Sequence, residues 1–374
     1  MISILLITLS PSSMAMTSNE DINSVNTYLD TNHILRAPSK IPTKVTSTKE
    51  LEETIEMATE QLVTKFTVKV HNMNYNQIEK LDLSNNDNIG ERINAYKFTG
   101  KVNQATGELK EVIVELTYKK MYEVSKIYRE PMKGYTISST GQQVFIKTKS
   151  IIKNLGIKNM KSDYEKEKAI HDYIVANTCY TDKNRITDSP TDPIYGVEGV
   201  LLNQNAVCQG YAETMKMFMD ILGIECKIVT GTGKSGESHA WNLIKLDNEW
   251  YHVDATWNDP IPDQSGHVSY SYFNLTDEMI KDDHIIDATK VYPKANGTRY
   301  FYYNNEIIVE TEDELKHELS NMFANRLTSG KIYCSYKVDI NQLEKTLDEV
   351  DINCNMQIHY TLEGKLFTFE ATYQ

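Results

Sequence analysis

The chain has 374 residues, a formal net charge of -13 at pH 7 and 40% hydrophobic residues. This length suits two or three globular domains. The negative charge disfavours binding to nucleic acid and to anionic membrane surfaces, because both kinds of partner need clustered cations.

The chain begins with a short apolar run, Met1–Leu9, and Ser13-Met14-Ala15 further on resembles a small-x-small cleavage site. Residues 1–16 therefore resemble a signal peptide, although no Lys or Arg precedes the apolar run. The run is too short to span a bilayer. We expect an extracellular or cell-surface protein; the alternative is a tail that begins with apolar residues by chance. Residues 17–47 are polar and predict a linker.

Residues 48–125 and 308–374 resemble each other. Lys49–Ile55 is similar to Asp313–Leu319, and both segments show the order helix, strand, helix, strand pair. We interpret them as two copies of one small α/β module, which would bind a substrate, a partner or each other. Chance similarity is the alternative. Residues 126–162 predict a connecting helical segment.

Cys208 precedes an apolar stripe at helical spacing, which comprises Tyr211, Met215, Phe218 and Leu222. Gly223 ends the pattern, as a residue just past a helix C-terminus does. We therefore predict that Cys208 begins a helix. Its thiol would lie at the positive end of the helix dipole, where a thiolate is stabilised.

Two strand-like runs, His239–Leu246 and Trp250–Trp257, are separated by Asp247–Asn248, which suits a tight turn. With this turn, His239 and Asp254 become diagonal neighbours on one face, with backbones roughly 7–8 Å apart. A carboxylate can reach an imidazole N–H across that separation. A register slip of one residue would put the two side chains on opposite faces.

Cys208, His239 and Asp254 thus supply a thiol, an imidazole and a carboxylate. These are the groups that a cysteine nucleophile needs as attacker, base and orienting partner. The oxyanion donor is open between the Cys208 backbone N–H and the side-chain amide of Gln204. The less favoured amides are those of Asn203 and Asn205.

The motifs around these residues, Val207–Ala212, Ser238–Asn242 and Tyr251–Trp257, resemble the transglutaminase-like superfamily. The superfamily includes transglutaminases and related cysteine proteases, and the resemblance points to bacterial proteins of the cytokinesis-protein type. It implies an α+β, papain-like core at residues 163–290, with the nucleophile at a helix N-terminus packed on an antiparallel sheet. It also implies that Cys208 is the nucleophile, His239 the base and Asp254 the orienting acid. Animal transglutaminases use a tryptophan upstream of the nucleophile for the oxyanion, and this chain has none there.

The expected activity is formation of a thioester at a protein or peptide amide. Attack by an amine would make the enzyme a transglutaminase, and attack by water would make it a cysteine protease or amidase. The substrate would be a protein or peptide, for example a cell-wall or surface protein, and we expect no cofactor and no metal. A catalytically inactive cell-surface binding module and an acyl-coenzyme A-dependent acetyltransferase are the alternatives.

Other residues have weaker assignments. Trp241 and Tyr211 are candidates for lining a substrate groove, with core packing as the alternative. His171 and His252 are predicted to be structural, and His284 follows two aspartates without metal-ligand spacing. Export would leave one of the five cysteines unpaired, with Cys208 the obvious one, and Cys334 and Cys354 could pair.

Overall fold

The computed structural model describes residues 40–103, 108–131, 135–181, 192–259, 266–303, 306–350 and 356–373, together with residues 185, 186 and 189. The expected signal peptide at 1–16, most of the 17–47 linker, and Cys354 lie outside these residues. The chain divides into two compact units, Met1–Phe145 and Ile146–Gln374. In the part of the chain that the structure describes, none of the helices combines the length and the apolar character needed to cross a bilayer.

The first unit contains a four-stranded sheet in the order β1-β2-β4-β3, covered by helices. Its strands are β1 (Lys44–Val45), β2 (Lys65–Val70), β3 (Ile93–Val102) and β4 (Leu109–Tyr118). Its helices are α1 (Thr48–Glu60), α2 (Tyr75–Glu79), α3 (Asp87–Gly90), α4 (Lys120–Arg129) and the start of α5 (Ser139–Asn154). Helix α4 runs across the expected boundary between residues 125 and 126. The division into modules at this boundary stays a prediction.

The second unit contains a five-stranded antiparallel sheet in the order β10-β9-β8-β7-β11. Its strands are β7 (Cys226–Gly233), β8 (Ser238–Leu246), β9 (Glu249–Val253), β10 (Phe273–Leu275) and β11 (His284–Ile286). The elements around this sheet are α6 (Asp163–Ala176), β5 (Cys179–Tyr180), a π-helical turn (Gly199–Asn203), β6 (Asn205–Ala206), α7 (Cys208–Leu222) and α8 (Asp277–Ile280). Helix α7 packs on this sheet, which confirms the expected α+β architecture.

The remainder of the second unit is a four-stranded sheet in the order β12-β13-β15-β14 with two helices. Its elements are β12 (Ile307–Val309), α9 (Glu312–Ala324), β13 (Ser329–Cys334), α10 (Ile340–Glu349), β14 (Met356–Glu363) and β15 (Leu366–Tyr373). The pairing is parallel, antiparallel, antiparallel, as it is between β1, β2, β4 and β3. The two segments that resemble each other in sequence thus share one strand order once β1 is added to the first of them, although β1 lies within the predicted linker 17–47.

The first helix of each of these segments begins in the same way. Ser47 accepts the N–H of Glu50, and Thr311 accepts the N–H of Glu314. Each glutamate side chain in turn accepts a backbone N–H from the residue before the N-cap. Such reciprocal capping satisfies donors that a helix start leaves without partners. The same local chemistry therefore starts both helices.

The predicted hairpin between β8 and β9 is confirmed. Leu246 pairs with Glu249, and Asp247 and Asn248 take the positive φ angles of 47° and 70° that a two-residue turn requires. The predicted strand 250–257 is too long, because β9 ends at Val253. The carboxylate of Asp254 accepts backbone N–H groups two and three residues further on, and this side-chain turn competes with sheet pairing.

The predicted helix after Cys208 is also confirmed. It ends at Leu222, and Gly223 adopts the left-handed conformation with φ 75°. Tyr211, Met215 and Phe218 are fully buried against the sheet. On the sheet side, Asn242 donates to the backbone carbonyl of Ala212, which fixes β8 to the first turns of the helix.

Candidate active site

The backbone before Cys208 fixes the start of α7. Val207 is extended and donates its N–H to the carbonyl of Ile194 at 3.0 Å. Gly210 allows the helix to approach the same loop, because a Cβ there would lie 2.7 Å from the Ile194 carbonyl oxygen. The first N–H groups of a helix carry partial positive charge. The partly exposed Cys208 side chain therefore lies at the positive end of the helix dipole.

His239 and Asp254 meet where β8 passes the end of β9. Nε2 of His239 lies 2.6 Å from Oδ2 of Asp254, and the two side chains are only 4% and 0% exposed. This bond uses one ring nitrogen and leaves Nδ1 to face a nucleophile. Burial alone would lower the imidazole pKa, but Asp254 and then the influence of Cys208 raise the pKa to about 10. The structure thus brings His239 and Asp254 together, and the part of Cys208 stays a prediction.

The Asp254 carboxylate accepts four hydrogen bonds. Its Oδ1 accepts the backbone N–H groups of Thr256 and Trp257 at 2.9 and 3.1 Å. Its Oδ2 accepts both His239 and His284, the latter at 2.8 Å. Burial alone would raise the pKa of this carboxyl, yet His239 and then His284 hold it well below its usual range. Asp254 is therefore ionised at neutral pH without any contact with solvent.

Sequence reasoning missed the position of His284. The residue begins β11, which pairs with β7 at the edge of the sheet, and its side chain is completely buried. Trp257 lies 4.2 Å from its ring, between centroids. Nothing in the local sequence of this short segment indicates which strand it joins. Only the non-local pairing with β7 brings the ring to Asp254.

His239, Asp254 and His284 each offer a possible metal-ligand atom, and these atoms lie within 4.8 Å of one another. Two imidazoles and a carboxylate form a ligand set that zinc accepts. However, the N···O separations of 2.6 and 2.8 Å are hydrogen-bond lengths. A zinc ion bound at about 2.0–2.1 Å would push tetrahedral ligand atoms further apart. The arrangement therefore fits shared protons better than a metal ion.

Two further histidines hold the domain together, in agreement with the structural role predicted for them. His171 accepts from Asn258 at Nε2, and its Nδ1 lies 3.1 Å from Asp172. His252 accepts the Trp241 indole N–H at Nδ1, and its Nε2 lies 2.9 Å from an aspartate on α8. Burial lowers the pKa of both rings, despite the aspartates. Each ring is therefore neutral, with its proton directed at the carboxylate.

The two groove candidates lie in the core. Trp241 and Tyr211 are each only 1% exposed. Trp241 donates to His252, and the Tyr211 hydroxyl donates to Asp259 at 2.5 Å. A side chain enclosed in this way stabilises the domain and presents no open surface to a substrate.

Of the three side-chain amides that the sequence left open as oxyanion donors, Asn203 is exposed at the end of the π-helical turn, and the other two differ in their surroundings. Gln204 is exposed and has a left-handed backbone with φ 54°. The Asn205 amide instead bonds within the β5–β6 region, to Thr181 and Cys179. Tyr180 was not predicted, but it pairs with Ala206, two residues before the thiol. Burial and then the charge of Cys208 raise the Tyr180 pKa to about 12, so its hydroxyl remains a proton donor near the site.

The cysteines of the described residues include two clear free thiols. Cys208 is partly exposed, whereas Cys334 is fully buried, and burial raises the Cys334 pKa to about 12. The pairing of Cys334 with Cys354 that the sequence left open is not observed, and Cys354 lies outside the described residues.

A cysteine at the start of a helix, packed on an antiparallel sheet that carries an imidazole–carboxylate pair, is typical of papain-like sites. Residues 152–255 match the family model of the transglutaminase-like superfamily. The chain therefore carries a domain of this superfamily, whose members are generally cysteine enzymes, and the resemblance drawn from the motifs is confirmed.

Curated relatives agree with this assignment. The chain is 28% identical over 145 residues to the kyphoscoliosis peptidase of Mus musculus and 30% identical over 118 residues to that of Homo sapiens. These stretches are 34% and 27% of this chain, but only 21% and 17% of the two peptidases. The chain thus matches about a fifth of the length of these relatives.

Among solved structures, the chain is similar to a transglutaminase, described as a TGase. The identity is 17% and the TM-score 0.31, over 67% of this chain and 60% of that one. It is also similar to the periplasmic domain of TgpA from Pseudomonas aeruginosa. There the identity is 12% and the TM-score 0.25, over 40% and 54% of the two chains.

Proposed function

We propose that the protein is a thiol acyltransferase or hydrolase that forms an acyl-enzyme on Cys208 at a protein or peptide amide. The observation that carries this proposal is the 2.6 Å bond between His239 Nε2 and Asp254, which leaves Nδ1 for the thiol. A buried carboxylate that orients an imidazole, beside a helix that begins with a cysteine, suits activation of that cysteine as a nucleophile.

In the proposed reaction, the Cys208 thiolate attacks the amide carbon, and the carbonyl electrons move to oxygen. The oxyanion returns its electrons as the C–N bond breaks, and the His239 imidazolium gives its proton to the departing amine. A thioester remains on Cys208. The acceptor, an amine or water, then loses a proton to His239 as it attacks the thioester and restores the thiol.

The acceptor defines the enzyme class. The mammalian relatives are named peptidases, which favours testing water as the acceptor first. A glutamine-rich protein such as casein is incubated with and without a labelled primary amine, beside Cys208→Ala. We expect amine incorporation for a transferase, or peptide fragments or released ammonia for a hydrolase, and none of these from the variant. Equal behaviour of wild type and Cys208→Ala would refute the proposal for these substrates and favour the binding-module alternative.

We also propose that the protein acts outside the cell, on the basis of the apolar run at residues 1–9 and the small residues that follow it. Expression of the full chain with a C-terminal tag, followed by fractionation and N-terminal sequencing, tests this. A mature N-terminus near residue 17 in the external fraction would support export, and an uncleaved chain inside the cell would contradict it.

A further inference from the structure

Asp254 has a second imidazole on the oxygen that orients His239. Oδ2 accepts His239 Nε2 at 2.6 Å and His284 Nε2 at 2.8 Å, and these histidines come from β8 and β11, the two strands that flank β7. The backbone donors already occupy Oδ1. The carboxylate is therefore held at both oxygens, and His284 supplies the only side-chain donor besides His239 among the described residues.

The hydrogen bond of the His284 ring to Asp254 uses Nε2. The Nδ1 of the ring is buried and has no hydrogen-bond partner among the described residues. A buried N–H without an acceptor is costly, whereas an unprotonated ring nitrogen is tolerated more easily. The proton that the ring directs at Asp254 is therefore on Nε2. Trp257 and Trp241, 4.2 and 4.8 Å away between centroids, prevent the ring from turning aside.

A residue of the C-terminal α/β module, residues 308–374, holds the strand that carries His284 in place. The neighbouring Asp283 forms an ion pair with Lys365 at 3.0 Å, with both side chains at most 2% exposed. The Lys365 ammonium also donates to the carbonyls of Met279 and Ser335 at 2.9 and 3.0 Å. The Tyr272 hydroxyl donates to the same aspartate. A residue from outside the transglutaminase-like domain thus anchors the start of β11.

We propose that His284 is a positioning residue for the reaction, which holds the Asp254 carboxylate so that His239 keeps Nδ1 directed at Cys208. This inference rests on the proposed function, because it assigns a part in the same site. Without the His284 donor, the buried carboxylate takes up a proton more readily and is free to rotate. The imidazolium then loses part of its stabilisation, and with it the adjacent thiolate.

Several other titratable groups face this carboxylate and its two histidines. Besides Cys208, they are Tyr180 of β5, Tyr272 just before β10, His171 of α6 and His252 of β9. The experiment therefore compares matched substitutions at His284, so that these groups are common to all the His284 variants.

The test replaces His284 with Gln, whose side-chain amide retains a donor near Nε2, and with Leu, which retains volume only. The alkylation rate of Cys208 by iodoacetamide is measured against pH, with EDTA present to exclude a bound metal. In His284→Leu we expect the pH of half-maximal rate to rise by about one unit, the size of one hydrogen bond to a charged group. His284→Gln should recover most of this shift.

His252→Gln and His252→Leu are the controls, since His252 is equally buried but does not contact Asp254. We expect the His252 variants to keep the pH of half-maximal Cys208 alkylation unchanged, even where they lower the free energy of unfolding. Where the amide or amine assay is positive, His284→Leu should lower kcat about 10–100-fold with little change in KM.

The proposal is overturned if His284→Gln and His284→Leu behave alike, or if the His252 variants shift the profile equally. Alkylation needs no substrate, so its outcome is separate from that of the proposed function. If the acyl-transfer assay fails but His284→Leu still shifts the alkylation profile, the proposed reaction is refuted. The role of His284 in positioning Asp254 and His239 then stands.

Discussion

The pair Lys365–Asp283 gives the most quantitative prediction about the contribution of the C-terminal module. Replacing Lys365 with Met retains the length of the side chain but removes the charge that Asp283 faces at 3.0 Å. Breaking a buried ion pair from one side costs about 3–5 kcal/mol, because the remaining charge is left buried without its counter-ion. The Tyr272 hydroxyl still donates to Asp283, which places our expectation near 3 kcal/mol.

The assay is urea denaturation of the full chain, with thermal melting as the second measurement. A loss of about 3 kcal/mol corresponds to a fall in Tm of about 10 °C for a unit of this size. Lys245→Met is the matched control, because it breaks a 2.6 Å pair with Glu225 whose side chains are 26% and 64% exposed. Such an exposed pair contributes about 0–1 kcal/mol.

The double variant Lys365→Met with Asp283→Asn should recover part of the loss, since it leaves no unpaired charge. Lys365→Met should also slow alkylation of Cys208, because it loosens the start of β11 beside His284. A Lys365→Met protein as stable as the Lys245→Met control would refute the reasoning. The reasoning would also be refuted if Asp283→Asn lowered the unfolding free energy of the Lys365→Met protein further, as an independent second substitution would.

Three further predictions concern the remaining buried groups. Burial raises the Glu167 pKa to about 8, so its stabilising contribution, complete below about pH 4.5, is lost as pH rises through 8. Glu167→Gln should therefore flatten the pH dependence of the unfolding free energy over this range, and an unchanged slope would contradict it. Gly210→Ala places a Cβ against the Ile194 carbonyl, so it should lower the unfolding free energy by about 1–3 kcal/mol and slow Cys208 alkylation. A variant with the stability and alkylation rate of the wild type would show instead that the loop carrying Ile194 moves to make room. If Tyr180 holds the oxyanion, Tyr180→Phe should lower kcat about 100-fold while Gln204→Ala does not, and the reverse result would assign Gln204.

The local parts of the site could be predicted because they depend on neighbouring residues. The turn at Asp247–Asn248 fixes the register of β8 on β9, and that register places His239 and Asp254 on one face. Gly223 ends the helix that begins at Cys208. In each case the backbone preference of one or two residues decides the geometry, so the sequence carries enough information.

The non-local parts could not be predicted. His284 reaches Asp254 only because β11 joins the far edge of the sheet beside β7, and its own segment gives no signal for that partner. Lys365 would be assigned to the surface by its residue type, yet a tight turn inserts it between two carbonyls and an aspartate. The early end of β9 at Val253 arises from the Asp254 side chain, which competes with the sheet for backbone donors.

The formation of an acyl group on Cys208 tests the central claim most directly. The ester 4-nitrophenyl acetate acylates activated thiolates without demanding a particular peptide sequence, so it does not depend on knowledge of the substrate. We predict a burst of one nitrophenolate per protein chain, with one acetyl group found by mass spectrometry on the peptide that contains Cys208. The burst should be absent from Cys208→Ala and much slower in His239→Gln. Release without a burst, at the same rate in wild type and Cys208→Ala, would contradict the assignment of Cys208 as the nucleophile.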